Sequence, residues 1–70
     1  MKVYTVVNRD GRWHAVIPGT GQMLGSYEDK AVMVGWTRAF ARKHDGEVQV
    51  LDENGEVEAV YRYMHGVELQ

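Results

Sequence analysis

The sequence predicts an α+β domain, an antiparallel sheet of β-β-(β)-α-β-β order with one helix packed on it. Three observations lead there. Only Ser26 to Lys43 (SYEDKAVMVGWTRAFARK) is long enough, and periodic at about 3.6 residues, to be an amphipathic helix. The segments on either side are short and rich in β-branched and aromatic residues. Each is divided by a turn dipeptide, Asp10-Gly11 in the first and Asn54-Gly55 in the second.

Lys2 to Asn8 and Trp13 to Ile17 form the first predicted hairpin. Its register has two solutions. A two-residue turn at Asp10-Gly11 sets Arg9 opposite Arg12 and groups Tyr4 and Val6 with Trp13, Ala15 and Ile17. A three-residue loop with Gly11 left-handed instead groups Val3, Thr5 and Val7 with the same three residues. Trp13, Ala15 and Ile17 belong to the core either way, and neither face of the first strand is polar. After Pro18 a short third strand is expected at Gln22 to Leu24. The glycines Gly19, Gly21 and Gly25 miss the dinucleotide-binding spacing by one residue, and turn chemistry explains them.

The helix enters at Ser26, which has capping-box spacing to Asp29, or at Lys30 with Asp29 itself as the cap. It ends with Arg42, Lys43 and His44 at the negative end of its dipole and Asp45-Gly46 as a left-handed stop. Met33, Val34, Thr37, Phe40 and Ala41 share one face, which is expected against the sheet. Val32, Trp36 and Ala39 make a second, narrower stripe beside it that calls for a second apolar surface. The second hairpin, Glu47 to Glu53 and Glu56 to Met64, turns at Asn54-Gly55. A two-residue turn there sets Val50 opposite Ala59 and Val48 opposite Tyr61, with Val57 on the same core side and Leu51 and Val60 as apolar exceptions on the solvent side. Residues 1–64 are thus expected as the single domain and 65–70 as a C-terminal tail.

Seventy residues with 44% apolar content and mixed charge fit one small globular domain. A chain of this size buries only about 60% of its unfolded surface, and without cysteine it has no disulfide, so oligomerisation is the remaining common source of stability. No apolar run approaches membrane-spanning length and no charged leader precedes one, so the expected location is cytoplasmic, with no membrane partner. Charge is polarised. Basic residues dominate up to Lys43, and beyond it Arg62 alone faces seven carboxylates.

Four segments carry a family likeness. They are K-V-Y-x-V-V at Lys2 to Val7, G-x-W-x-A-V at Gly11 to Val16, F-A-R-x-x-x-G-E at Phe40 to Glu47, and the Asn54-Gly55 hairpin. Together they resemble a small bacterial family of domains of unknown function related to the YegP-like domains. The resemblance implies a β3-α-β unit, two copies of which form one sheet with exchanged C-terminal strands. Here that would be a homodimer in which Glu56 to Met64 crosses over. Asn8 stands where the family often has proline, and Trp36 where a small residue is usual. The resemblance implies no activity or ligand.

Function is read partly by exclusion. His14, His44 and His65 lie on different segments at no metal-ligand spacing, the lone Ser26 is explained as a cap, and Glu56 and Glu58 read as solvating charge. No catalytic residue, metal or cofactor is therefore expected. The reading that remains is a homodimeric interaction or structural module, of the class to which small phage- or plasmid-type regulators and inhibitors belong. Its interface is expected at Val32, Trp36, Ala39, Val60, Tyr63 and Met64. The alternative is weak nucleic-acid binding through Arg9, Arg12, Arg38, Arg42 and Lys43, with Trp36 or Tyr63 stacking on bases, against which stands a pI of about 5.8.

Overall fold

Six strands and one helix follow one another in the computed structural model, which describes residues 1–69. They are β1 (Lys2–Arg9), β2 (Arg12–Ile17), β3 (Gln22–Tyr27), α1 (Lys30–Lys43), β4 (Gly46–Leu51), β5 (Val57–Met64) and β6 (Val67–Leu69). The strands form one sheet in the order β3-β2-β1-β4-β5-β6, and α1 lies on one face of it. The α+β class is as expected, but the sheet is mixed. β1, β2 and β3 run as an antiparallel meander, so β3 has the direction of β1. The 14-residue helix then carries the chain back by about 21 Å, returning it to the end from which β3 set out. β4 must run with β1, and it does, Tyr4 beside Val48 and Val6 beside Val50 in a parallel ladder.

The first hairpin takes the two-residue register, with Asp10 and Gly11 both left-handed at φ 54° and 80°. Arg9 does face Arg12. That like-charge pair is tolerated because the register sends Tyr4, Val6, Trp13 and Ala15 together beneath the helix, where all four are buried. Arg12 also turns to Ser26 Oγ at 3.1 Å and to Glu28 at 3.5 Å. β3 is longer than the expected Gln22 to Leu24 and takes in Ser26 and Tyr27, so Asp29 alone caps the helix, accepting from the Ala31 and Val32 amides.

Met33, Thr37 and Ala41 are the fully buried helix positions, with Val34 and Phe40 packed beside them, which is the predicted face. Thr37 is admitted to the core because its hydroxyl donates to the Met33 carbonyl at 2.7 Å. At the exit Asp45 takes the left-handed conformation, φ 52°. Gly46 serves close packing instead, since a Cβ there would lie 2.5 Å from the Tyr4 ring.

Two expectations near the C-terminus are corrected. Val48 opposes Tyr61 and Val50 opposes Ala59 as expected, but the register shifts after Val50 so that Leu51 pairs with Val57. The Asp52 carboxylate draws the loop tight by accepting from the Asn54 and Glu56 amides, and the extra residue is taken up as a bulge. Val57 therefore lies with Leu51 on the face away from the helix and is exposed. The expected tail is a strand. His65 and Gly66 form a left-handed two-residue turn, and Val67 to Leu69 pair with β5, Met64 opposite Val67. Gln70, the last residue of that tail, lies outside the described residues.

Gly46→Ala tests the tightest contact in this packing. The Tyr4 ring is buried and has no free direction in which to move, so the substitution is expected to cost about 2 kcal/mol and to lower the melting temperature by about 10 °C. An unchanged melting temperature would contradict the close approach.

Candidate functional site

Three surfaces could carry function: a polar cleft between α1 and β5–β6, an apolar cleft between α1 and β3, and the sheet face that α1 leaves open. The polar cleft, of about 240 Å3, is lined by Gly35, Arg38, Ala39, Arg42 and Tyr63. Arg38 Nε donates to the Tyr63 hydroxyl at 2.8 Å and its Nη2 to Glu68 Oε1 at 2.7 Å, and the Tyr63 hydroxyl donates to the same Glu68 oxygen at 2.7 Å. The Arg38 guanidinium lies 4.0 Å from the Tyr61 ring centre, and Arg42 5.3 Å from that of Tyr63.

The electrostatics are those of a structural tie. The Tyr63 hydroxyl and Arg38 hold the Glu68 carboxyl below its usual range. Burial pushes the Tyr63 hydroxyl up, and its hydrogen bond to Tyr63 fixes the Arg38 charge further. Each group is locked in its ordinary neutral-pH form, so the triad holds no poised acid or base. It fastens the short β6 to the helix. Arg38 is thus committed to Tyr63 and Glu68. Tyr63, expected at an interface, is a core residue of the chain, 1% exposed, and offers no free ring face on its surface.

The apolar cleft, about 270 Å3, is lined by Gly25, Ser26, Tyr27, Val32, Met33 and Trp36. Trp36 is 43% exposed, and its ring stacks on Phe40, which in turn packs against Tyr4 and His44. Val32 and Ala39 are also exposed, so the predicted second stripe exists as a surface, with Val32 and Trp36 facing β3 and Ala39 on the outer side of the helix at the edge of the polar cleft. The other two expected interface residues, Val60 and Met64, lie elsewhere. The β4–β5 and β5–β6 registers put them on the open sheet face with Val57, Val67 and Leu69, each between 41% and 60% exposed.

The basic residues do not converge. Arg9 and Arg12 sit at the β1–β2 turn, near the start of α1, whereas Arg42 and Lys43 sit in its last turn, a helix length away. The histidines are equally dispersed: His14 Nδ1 lies 3.3 Å from Met23 Sδ, His44 stacks on Phe40, and the His65 amide donates to Asp45. Among the described residues no group of three His, Cys, Asp or Glu is placed to hold a metal, and no buried polar side-chain atom lacks a partner. Ser26, within β3, accepts from Arg12. The glycine-rich segment is a turn in which Thr20 Oγ1 donates to the Ile17 carbonyl and accepts from the Gln22 amide.

Sequence reasoning missed the triad and the extent of the open face because both depend on β6. The signal was present in the alternation of Tyr63-Met64 and Val67-Glu68-Leu69 around His65-Gly66, a dipeptide suited to a tight turn. Compared with protein-family models, curated proteins and solved structures, the chain matches none.

Because Glu68 ionises more readily in the folded chain than in the unfolded one, its contribution to stability is complete above an ordinary glutamate pKa of about 4.3. That contribution is lost as pH falls through the lowered folded value. Glu68→Gln is therefore expected to speed amide exchange in β6 and lower the melting temperature at pH 7, and to make progressively less difference as pH falls through the lowered folded value. A deficit that persists undiminished at low pH would contradict the ion-pair account.

Proposed function

We propose that this chain is a homodimeric protein–protein interaction module with no catalysis of its own. One observation carries the reading: among the described residues nine of the ten large apolar side chains left exposed, all but Met1, lie on two surfaces, the Trp36 flank of α1 with Tyr27 and Val32, and the open sheet face. Isolated exposed apolar residues need no explanation, but contiguous apolar surface on so small a chain does. The polar side chains nearest the open face and β6, by contrast, are engaged with one another: Arg38 with Tyr63 and Glu68, and Arg62 with Glu47.

The small core supports the same reading. Among the described residues ten apolar side chains are buried, each worth roughly 1 to 3 kcal/mol, against a backbone entropy cost that grows with every ordered residue. Covering a second surface offsets part of that cost. The resemblance to YegP-like domains supports dimerisation as well. In a strand-exchanged version of the dimer β5 and β6 would move as one hairpin about the Asp52 to Glu56 turn. Nucleic-acid binding has less support, since Arg38 is committed within the chain and the remaining basic residues are split between the two ends of the helix.

Sedimentation across a concentration series tests the proposal. The expected species at micromolar concentration has twice the 8.0 kDa chain mass, with a melting temperature that rises with concentration. A monomer persisting into the high micromolar range would overturn the reading.

A further inference from the structure

We propose that the sheet face turned away from α1 is where two copies meet, with β5 and β6 of one chain lying across β5 and β6 of the other about a two-fold axis. This rests on the reading of the chain as a self-associating module and names the surface. The two sheets would pack face to face about 10 Å apart, with one helix on each outer side.

The strip is continuous. Met64 pairs with Val67, Leu69 lies beside Arg62, and Val60 and Val57 extend the row along β5. At their individual exposures Val57, Val60, Met64, Val67 and Leu69 leave roughly 450 Å2 open, as much as the largest apolar patch on a typical monomer of any size. For this chain it is about a tenth of its 4486 Å2 surface. A stable interface takes about 800 Å2 from each partner, and the half-buried Leu51 and Val7 beside the strip and the stem of Arg62 within it supply the remainder.

The polar groups of the face are prepared for cover. Arg62 Nε donates to Glu47 Oε1 at 2.8 Å and Gln49 Nε2 donates to Glu47 Oε2 at 2.9 Å, so both carboxylate oxygens are engaged, and the Glu47 side chain is only 13% exposed. A second sheet laid over this network covers a carboxylate that is already paired, while the outer guanidinium nitrogens of Arg62, whose side chain is 54% exposed, stay at the rim in water. The occupant is a second copy because the strip, apolar apart from Arg62, supplies on each chain a large part of the area a dimer needs, and an isologous contact matches like with like. The tyrosines and tryptophan of the strands point to the helix side, and Arg62 is held by Glu47, so the strip lacks the stacking rings and free cations that a nucleic acid requires.

Val57→Lys with Val60→Lys is expected to weaken dimerisation by about a hundredfold or more while far-ultraviolet circular dichroism keeps its native shape, since both side chains project from the sheet face. Because the chain has no cysteine, Val60→Cys provides a second readout in which no strand is charged. Its thiol should resist maleimide at concentrations that favour the dimer and react on dilution. Labelling at equal rates in both conditions, or a dimer that survives the double lysine variant, would overturn the proposal. A dimer lost in Trp36→Glu but retained in the double lysine variant would remove this face and leave the homodimeric reading intact. A wild-type monomer would remove both.

Discussion

The contact on which the other features depend is the packing of one face of α1 across the parallel pair β1 and β4. Met33, Thr37 and Ala41 enter a floor of Tyr4, Val6, Val48 and Val50, all buried. That floor exists only because the helix returns the chain to the end from which β3 set out, making β4 a neighbour of β1 in the same direction. A helix of 14 residues is long enough to close one face of a six-stranded sheet along its middle and no more. Both apolar surfaces are consequences of that single layer: the flank around Trp36, where the helix stops short of covering β3, and the whole reverse face.

The outer strands are held by polar rather than apolar means. β6 contributes three residues, too few to secure it through the backbone ladder alone, and Glu68 ties it to Arg38 and Tyr63. The turn before it is pinned as well, by the His65 amide donating to Asp45 at the helix exit. On the reverse face Glu47 gathers Arg62 and Gln49 across β4 and β5, and these two hydrogen bonds hold its carboxyl below the usual range. These ties explain the charge polarity of the chain without a polyanionic partner. Several carboxylates of the acidic second half meet basic residues of the first half or Arg62: Glu68 meets Arg38, Glu58 meets Lys30 and Glu47 meets Arg62.

What can be read from the sequence is whatever depends on local chemistry. The helix face, the existence of both hairpins and the pairing of Val48 with Tyr61 follow from period and turn type, which act over a few residues. The choice of Asp29 over Ser26 as cap and of the two-residue register in the first hairpin is made only by the length of β3 and by the core. The direction of β4 is not legible, because it depends on where a helix deposits the chain. Val57 falls on the opposite face from the expected one because Asp52, rather than the Asn54-Gly55 dipeptide, sets the loop. Tyr63 differs for a related reason: an aromatic near the end of a strand reads as exposed until a further strand covers it. Of the expected interface, Val32, Trp36 and Ala39 fall on one surface and Val60 and Met64 on another, a division that depends on the strand register.

The account turns on the reverse face being completed by a second copy. Isotope-filtered nuclear Overhauser spectroscopy on a dimer mixed from labelled and unlabelled chains measures this directly. The account predicts intermolecular contacts among the methyl groups of Val57, Val60, Met64, Val67 and Leu69, and none from Tyr27 or Val32. Intermolecular contacts confined to Val32 and the Trp36 ring would contradict it.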